Sequence, residues 1–313
     1  MIDKAVEAPP VARPFPASGE LQYRPAVVVS RGWWRRGRQD GPLKTLVINL
    51  VLAGACVIAI YPLLQVITIS LRPGNRLFST SLALIPANAT LQSYSDVLFH
   101  SDFDIWIYNS LVISTIAAIL GVLFAVPAGY AFSRFKFPGR RAGLLFLLST
   151  QMIPAGMLLI PIFLLLFKLH LIDHYLGMIV AYLTTICPFS IWILKGYFDT
   201  IPPDLEEAAQ VDGTTRLGAF WRIIIPLSTP PIALTFLFGF TSAWSEYLLA
   251  RTVIQSSNLF TWPLGIYTFQ GQYQTQWGDF AAASFLISIP VLILFTFMGR
   301  YMISGLTLGG VKG

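Results

Sequence analysis

Charged and chemically reactive side chains are both scarce in this chain of 313 residues. Charged residues make up 12% of it, and it contains two cysteines and three histidines. Cys56 and Cys187 both lie inside apolar runs, so neither a disulfide framework nor a metal-ligand spacing is indicated. No constellation of His, Asp or Cys typical of an enzyme assembles, and no phosphate-binding G-x-x-x-x-G-K-[ST] loop is present. We therefore expect a chain that is not an enzyme and binds no metal or cofactor.

Apolar sequence is abundant, at 55% hydrophobic residues. Six charge-free apolar runs each reach the ~20 residues needed to cross a bilayer core. A seventh charge-free stretch, residues 252–278, is rich in Gln and Ser, and its apolar centre is too short to span, so we predict an external loop there. The predicted fold class is all-α integral membrane with six transmembrane helices, at about residues 45–71, 107–132, 142–167, 175–195, 225–249 and 280–302.

Lysine and arginine are distributed unequally between the two sides of these spans. With the N-terminus inside, four of the 21 Lys and Arg residues fall outside, namely Arg72, Arg76, Lys168 and Arg251. This bias predicts that both termini and the loop after the fourth span are cytoplasmic. Residues 1–42 are basic and Pro-rich, and we predict a disordered cytoplasmic tail because they cannot bury enough apolar surface to order themselves. A nucleic-acid role is not indicated.

One polar segment, residues 200–226, separates two strongly apolar runs in the second half of the chain. It is predicted to form two short helices joined by a turn at Gly213, with Pro203 at the first helical position. Asp204, Glu206 and Glu207 fall in the first turn, where the helix dipole favours acidic side chains. Helices shorter than ~12–15 residues are marginal alone in water, so this unit needs a partner surface. An amphipathic loop resting on the bilayer is the alternative interpretation.

The spacing in this segment resembles the EAA loop of ABC importer permeases. Glu207-Ala208-Ala209 is followed by Gly213 and then by Ile225-Pro226, where the family pattern ends in Leu-Pro. Essentially all of residues 43–313 is similar to the smaller permease subunit of maltose/maltodextrin importers. The stretches that carry this likeness are 61–64, 70–72, 130–139, 195–198, 277–283 and 305–313. The resemblance implies a type I ABC importer permease fold, of the MetI-like kind.

The resemblance also implies roles for particular residues. Those of the coupling loop 200–226 that would contact a separate ATPase are Glu206, Glu207, Ala208, Ala209, Asp212 and Gly213, with Glu207 paired to an arginine of the ATPase. The C-terminal tail 303–313 would reach between two ATPase subunits through Gly305, Thr307, Gly309, Gly310 and Lys312. Loop 252–278 would touch a sugar-loaded periplasmic binding protein. The other implied partners are membrane lipid, a second permease subunit and an ATPase homodimer that carries ATP and Mg²⁺.

Polar and aromatic side chains inside the spans are candidates for lining a sugar path, because sugars need hydroxyl and amide partners and aromatic faces. The residues singled out are Gln151, Tyr182, Thr184, Ser242 and Trp244, with Asn109, Thr185 and Ser245 as further polar candidates. The alternative is that these groups bond within their own helix or to a neighbouring helix. The resemblance places the main sugar site on the second permease subunit.

The predicted function is transport. The chain is expected to be a permease subunit that moves maltose/maltodextrin-type oligosaccharides from a periplasmic binding protein across the bacterial inner membrane, driven by ATP hydrolysis on the partner. A permease for trehalose or another disaccharide is the alternative within the family. An ion-coupled sugar carrier is a further alternative. It is disfavoured because such carriers need ionisable groups in mid-span. The six charge-free runs, residues 45–71, 105–133, 142–167, 175–194, 223–245 and 280–299, contain no Asp, Glu, Lys, Arg or His.

Overall fold

A computed structural model describes residues 42–77, 83, 85–86, 88–271 and 274–308. The predicted N-terminal tail therefore lies outside the described residues, apart from Pro42. The chain divides into two compact units between Ala55 and Cys56, within the first helix. All contacts discussed below lie within the second unit. In the described ranges the regular elements are helices, accompanied by one isolated bridge between Gln270 and Thr275.

Most connections between consecutive helices are short, and the one between α1 and α2 covers residues 71–91. The α-helices are α1 Pro42–Ser70, α2 Gln92–Phe99, α3 Phe103–Arg134, α4 Arg140–Thr150, α5 Ala155–Lys168, α6 Tyr175–Phe198, α7 Asp204–Val211, α8 Arg216–Ala219, α9 Ile225–Leu227, α10 Thr229–Trp244, α11 Leu248–Val253, α12 Trp262–Gly265 and α13 Trp277–Leu308. A π-helical turn, Phe220–Ile224, joins α8 to α9. Two 3-10 turns, Ser257–Leu259 and Ile266–Phe269, flank α12.

Four of these helices, α1, α3, α6 and α13, are each long and apolar enough to cross a bilayer. The sequence predicted continuous helices at 142–167 and 225–249 as well, and the structure breaks both. Helices α4 and α5 meet at 104°, and the helical stretch Arg216–Leu227 meets α10 at 73°. Six spans result if each bent pair crosses the membrane as one unit.

Proline explains the positions of the breaks. Because proline has no backbone N–H and its ring crowds the preceding turn, it disfavours an unbroken helical ladder. Pro154 directly precedes α5, and Pro230 and Pro231 lie in the first turn of α10, directly after the second bend. By contrast, single prolines are accommodated inside the continuous helices, at Pro62, Pro127, Pro188 and Pro290.

Close packing of α3 against α6 forms the centre of the bundle. Small residues recur at every fourth position of α3 and are buried there: Ala117, Gly121, Ala125 and Gly129. A Cβ on Gly121 would lie 2.5 Å from Cγ2 of Ile186, and a Cβ on Gly129 would lie 3.1 Å from Cβ of Leu194. Small residues spaced four apart let membrane helices approach closely, so this stripe determines how α3 and α6 pack. Helices α10 and α13 complete the bundle.

The predicted external loop 252–278 is folded onto the bundle. Asn109 of α3 is buried, and its Nδ2 donates to the carbonyls of Asn258 at 3.0 Å and Phe260 at 2.9 Å. Oγ of Ser110 accepts from the Trp262 backbone N–H at 2.8 Å. Leu264 is among the side chains of this loop that are buried. Asn109, a candidate for the sugar path from sequence, therefore binds this loop to α3. We call the loop, residues 252–278, the cap.

Asp173, in the connection between α5 and α6, forms hydrogen bonds with residues near the start of the cap. Its Oδ1 accepts from the backbone N–H groups of Gln255 and Ser256, both at 2.9 Å, and its Oδ2 accepts from the Ser256 hydroxyl. Partial burial raises the pKa of this carboxyl, but the hydrogen bonds from Ser256 and Gln255 outweigh that effect and leave the pKa below its ordinary value. The ionised form is thus the one that the fold stabilises.

Replacing Asp173 by asparagine is expected to loosen the cap by about 1.5–3 kcal/mol, the range for hydrogen bonds to a charged group. Because the folded-state pKa is depressed, the wild-type advantage is present above the unfolded pKa of about 3.9 and is lost as the pH falls through the folded value. Amide hydrogen exchange of residues 254–260 at pH 7 and at progressively lower pH measures this. An equal difference between the two proteins at every pH would contradict the assignment.

Candidate functional site

The polar segment between α6 and α10 folds as predicted into two short helices joined at Gly213. Gly213 has a φ of +86°, the left-handed conformation for which glycine is preferred. Its N–H donates to the carbonyl of Gln210 at 3.1 Å, and the Thr214 N–H donates to that of Ala209 at 2.9 Å. This is the Schellman pattern that ends a helix. Oγ1 of Thr215 then accepts from the Gly218 N–H at 3.1 Å and caps α8.

Helix α7 is tied to the end of α3 through a buried carboxylate. Glu206 is 5% exposed. Its Oε2 accepts from the Tyr130 hydroxyl at 2.5 Å, and its Oε1 accepts from Nε of Arg134 at 2.5 Å. Nη2 of Arg134 donates to the carbonyl of Ile201 at 2.8 Å. We call this set, Tyr130, Arg134, Ile201 and Glu206, the latch.

Aromatic packing surrounds the latch. The Tyr130 ring lies 4.6 Å from the ring of Phe220, 6.1 Å from that of Phe198 and 5.8 Å from that of Phe135, measured between centroids. The side chains of Arg134 and Glu206 are 12% and 7% exposed, and charge interactions are stronger where contact with water is reduced. Both partners also satisfy further hydrogen bonds, the condition under which a buried ion pair is tolerated. The latch therefore fixes α7 relative to α3.

The opposite side of α7 is exposed. Glu207 and Ala208 are both exposed, and among the described residues Glu207 has no ion-pair or side-chain hydrogen-bond partner. Large apolar side chains of the segment 200–226 are also exposed, with Val211 at 88% and Trp221 at 58% exposure. We call Glu207, Ala208, Asp212 and these two apolar residues the outer face. Of the predicted coupling residues, Glu207, Ala208, Asp212 and Gly213 are exposed, Ala209 is half-buried and Glu206 points into the bundle.

The five residues proposed for a sugar path lie in three different places. Gln151 and Ser242 line one cavity of about 200 Å³, together with Thr185, Phe189, Ser190 and Phe238. Thr184 is exposed away from that lining, and its hydroxyl donates to the Ala181 carbonyl at 2.6 Å. Tyr182 and Trp244 are buried, at 1% and 3% exposure, within the apolar core. The structure thus brings two of the five predicted residues together.

The predicted C-terminal tail begins inside a helix. Helix α13 continues through Leu308, so Gly305 and Thr307 belong to its final turns. Gly309, Gly310 and Lys312 lie outside the described residues. No group of three or more His, Cys, Asp or Glu residues suited to a metal ion occurs in the described part of the chain.

Comparison with known proteins identifies the family. A family model described as "Binding-protein-dependent transport system inner membrane component" matches residues 117–306, which include the latch, the outer face and the cavity. The chain belongs to this family. The galactooligosaccharides transport system permease protein GanQ of Bacillus subtilis (strain 168) is 36% identical over 87% of this chain and 96% of its own length. The maltose/maltodextrin transport system permease protein MalG of Photorhabdus laumondii subsp. laumondii is 35% identical over 86% and 96%.

The fold agrees with that of solved members of this transporter class. A chain from the crystal structure of a bacterial ABC transporter involved in the import of the acidic polysaccharide alginate superposes with a TM-score of 0.72. The match covers 83% of this chain and 96% of that chain, at 23% sequence identity. The predicted all-α permease fold is thereby confirmed.

Sequence reasoning did not assign the latch. Tyr130 and Arg134 lie in the stretch 130–139 that carries the family likeness, but the likeness implies no role for either residue. A signal was present, because the two residues are one turn apart at the end of a span and therefore share a face. An arginine and a hydroxyl on one face near a membrane boundary, opposite a loop with three acidic residues, could have indicated an internal ion pair.

Proposed function

We propose that this chain is the permease subunit of an ATP-driven importer for maltose/maltodextrin-type oligosaccharides, and that a separate ATPase docks on the outer face. The observation that carries this proposal is the different burial of two adjacent glutamates. Glu206 is buried in the latch, and Glu207 is exposed beside apolar side chains. A loop that is bound to the helix bundle on one side and exposed on the other is suited to transmit a movement from a partner to the bundle.

The mechanism follows from the packing. A displacement of α7 by the ATPase is passed through Glu206 and Arg134 to α3. Because α3 packs closely along α6 and also against α10, the displacement moves those helices as a body. Rigid-body rotation of packed elements is an established way to switch between two arrangements. The bundle would in this way open alternately to the two sides of the membrane.

The remaining assignments are part of the same proposal. Both termini and the outer face are placed in the cytoplasm, in line with the positive-inside rule. An ATPase homodimer supplies ATP and Mg²⁺, and a second permease subunit and a periplasmic sugar-binding protein complete the assembly. The cargo assignment is supported by the similarity to MalG, and the similarity to GanQ makes galactooligosaccharides the first alternative. Trehalose, a disaccharide, is the second alternative cargo.

Uptake by the assembled transporter tests the cargo. The chain is co-expressed with its partner subunits, reconstituted in proteoliposomes with the binding protein outside and ATP inside, and given labelled maltose. We expect accumulation of the label, and competition by unlabelled maltodextrins at lower concentrations than by galactooligosaccharides or trehalose. Competition by none of these sugars, with an assembled and ATP-hydrolysing complex, would contradict the proposal.

A further inference from the structure

The cavity of about 200 Å³ lies where one bent span is broken. Gln151 follows the last residue of α4, at the break before α5, and the facing wall comes from Thr185 and Phe189 of α6 and from Ser242 of α10. The break is near the middle of the predicted span 142–167. Non-helical backbone at membrane depth is tolerated where it is buried in protein or lines a water-filled cavity. Because Gln151 at the break lines the cavity, the break meets the second of these conditions.

The polar side chains of this cavity have hydrogen-bonding capacity to spare. Within the described residues, the Gln151 amide and the Ser242 hydroxyl form no hydrogen bond. The Thr185 hydroxyl donates to the carbonyl of Tyr182 at 2.9 Å and keeps its lone pairs free to accept. Polar groups in a membrane protein are costly when left without partners. A ligand with several hydroxyl groups would satisfy all three.

Two aromatic rings complete the lining. Phe189 and Phe238 meet edge to face, with centroids 5.7 Å apart and an interplanar angle of 88°. They are 41% and 46% exposed, so ring surface is available to a ligand. An apolar wall with a few convergent polar groups is the usual composition of a small-molecule site. A pyranose ring combines a C–H face for the aromatics with hydroxyl groups for the amide and the two hydroxyls.

We infer that this cavity is a contact site for one sugar ring of the transported oligosaccharide, so that this subunit itself holds cargo during transport. The inference rests on the proposed function. Gln151 binds sugar hydroxyl groups through its amide, Thr185 and Ser242 bind them through their hydroxyls, and Phe189 and Phe238 pack against the ring. The bend between α4 and α5 opens the space in which the ring lies.

Protection of an engineered cysteine by cargo tests the inference. In a background in which Cys56 and Cys187 are replaced by serine, Ser242→Cys is made, with Thr184→Cys as the matched control outside the cavity. The reconstituted complex is exposed to a small thiol reagent with and without maltodextrin, binding protein and ATP. We expect cargo to slow labelling of the Ser242→Cys protein at least threefold and to leave labelling of the Thr184→Cys protein unchanged.

A second measurement separates contact from folding. Loss of one hydrogen bond of about 0.5–1.5 kcal/mol corresponds to about a two- to tenfold change. Gln151→Ala is expected to lower maltodextrin uptake by that factor at saturating binding protein, whereas Thr184→Val does not lower it. Active uptake with no cargo protection at Ser242→Cys, or with no labelling there in either condition, would overturn the inference. Absence of uptake by the wild-type complex would instead refute the proposed function.

Discussion

Replacing Glu206 by alanine is expected to destabilise the protein by about 3–5 kcal/mol, the usual result of removing one member of a buried ion pair. Arg134 would remain in the protein interior without its carboxylate, and the Tyr130 hydroxyl would lose its acceptor. We also expect transport to be abolished, because α7 would no longer move with α3. Thermal unfolding of the purified complex and sugar uptake measure the two effects.

The control for this variant lies two residues earlier on the same helix. Asp204 is exposed in the first turn of α7, so Asp204→Ala removes only an interaction with the helix dipole, worth about 0.3–1 kcal/mol. The double variant Arg134→Met with Glu206→Leu removes both charges and should recover much of the lost stability, since paired apolar replacements are often neutral. If Glu206→Ala were no more destabilising than Asp204→Ala, the latch would not exist as described.

Replacing the neighbouring Glu207 by alanine is expected to have the opposite pattern. The side chain is exposed and without an ion-pair partner among the described residues, so the stability of the isolated chain should change little. If it pairs with an arginine of the ATPase, truncation costs about 2–5 kcal/mol of binding. Association with the ATPase should then weaken by roughly 30-fold or more, at ~1.4 kcal/mol per tenfold change. Titration of the detergent-solubilised permease with purified ATPase measures this constant.

The matched control for Glu207 is again on α7. Gln210→Ala removes a polar side chain of similar size from the same helix. The Gln210 Nε2 donates a hydrogen bond to the Glu206 carbonyl at 3.1 Å. Its effect on association should be small. Undiminished ATPase binding and uptake by Glu207→Ala, with Gln210→Ala also unchanged, would rule out Glu207 as a docking residue and leave the outer face without its central contact.

Much of the architecture could be predicted because membrane spans depend on simple quantities. Length and the absence of charge sufficed to place α1, α3, α6 and α13. Helices α3 and α13 extend beyond both predicted ends, α1 begins three residues earlier and α6 ends three residues later than predicted. The turn at Gly213 was predictable because a left-handed helix end favours glycine. The breaks before Pro154 and before Pro230 and Pro231 were not predicted, because Pro62, Pro127, Pro188 and Pro290 lie in continuous helices of the same chain. Tertiary packing decides which prolines break a span.

The candidate site was predicted as a segment but not in its detail. Sequence spacing grouped Glu206 with Glu207, because both lie in the first turn of a short helix. Their different burial depends on Tyr130 and Arg134, which lie more than seventy positions earlier in the chain. The packed cap was missed for a similar reason. Residues 252–278 look polar, but Asn109 and Ser110 supply partners for their backbone groups from α3.

The energy source of uptake tests the central claim most directly, namely that a motor subunit moves this permease through α7. Reconstituted complex with binding protein and labelled maltose is compared with ATP inside, with a non-hydrolysable ATP analogue inside, and with a proton or sodium gradient but no nucleotide. The account predicts accumulation with ATP alone, and loss of that accumulation in the Glu206→Ala protein. Accumulation driven by the ion gradient without nucleotide would contradict it.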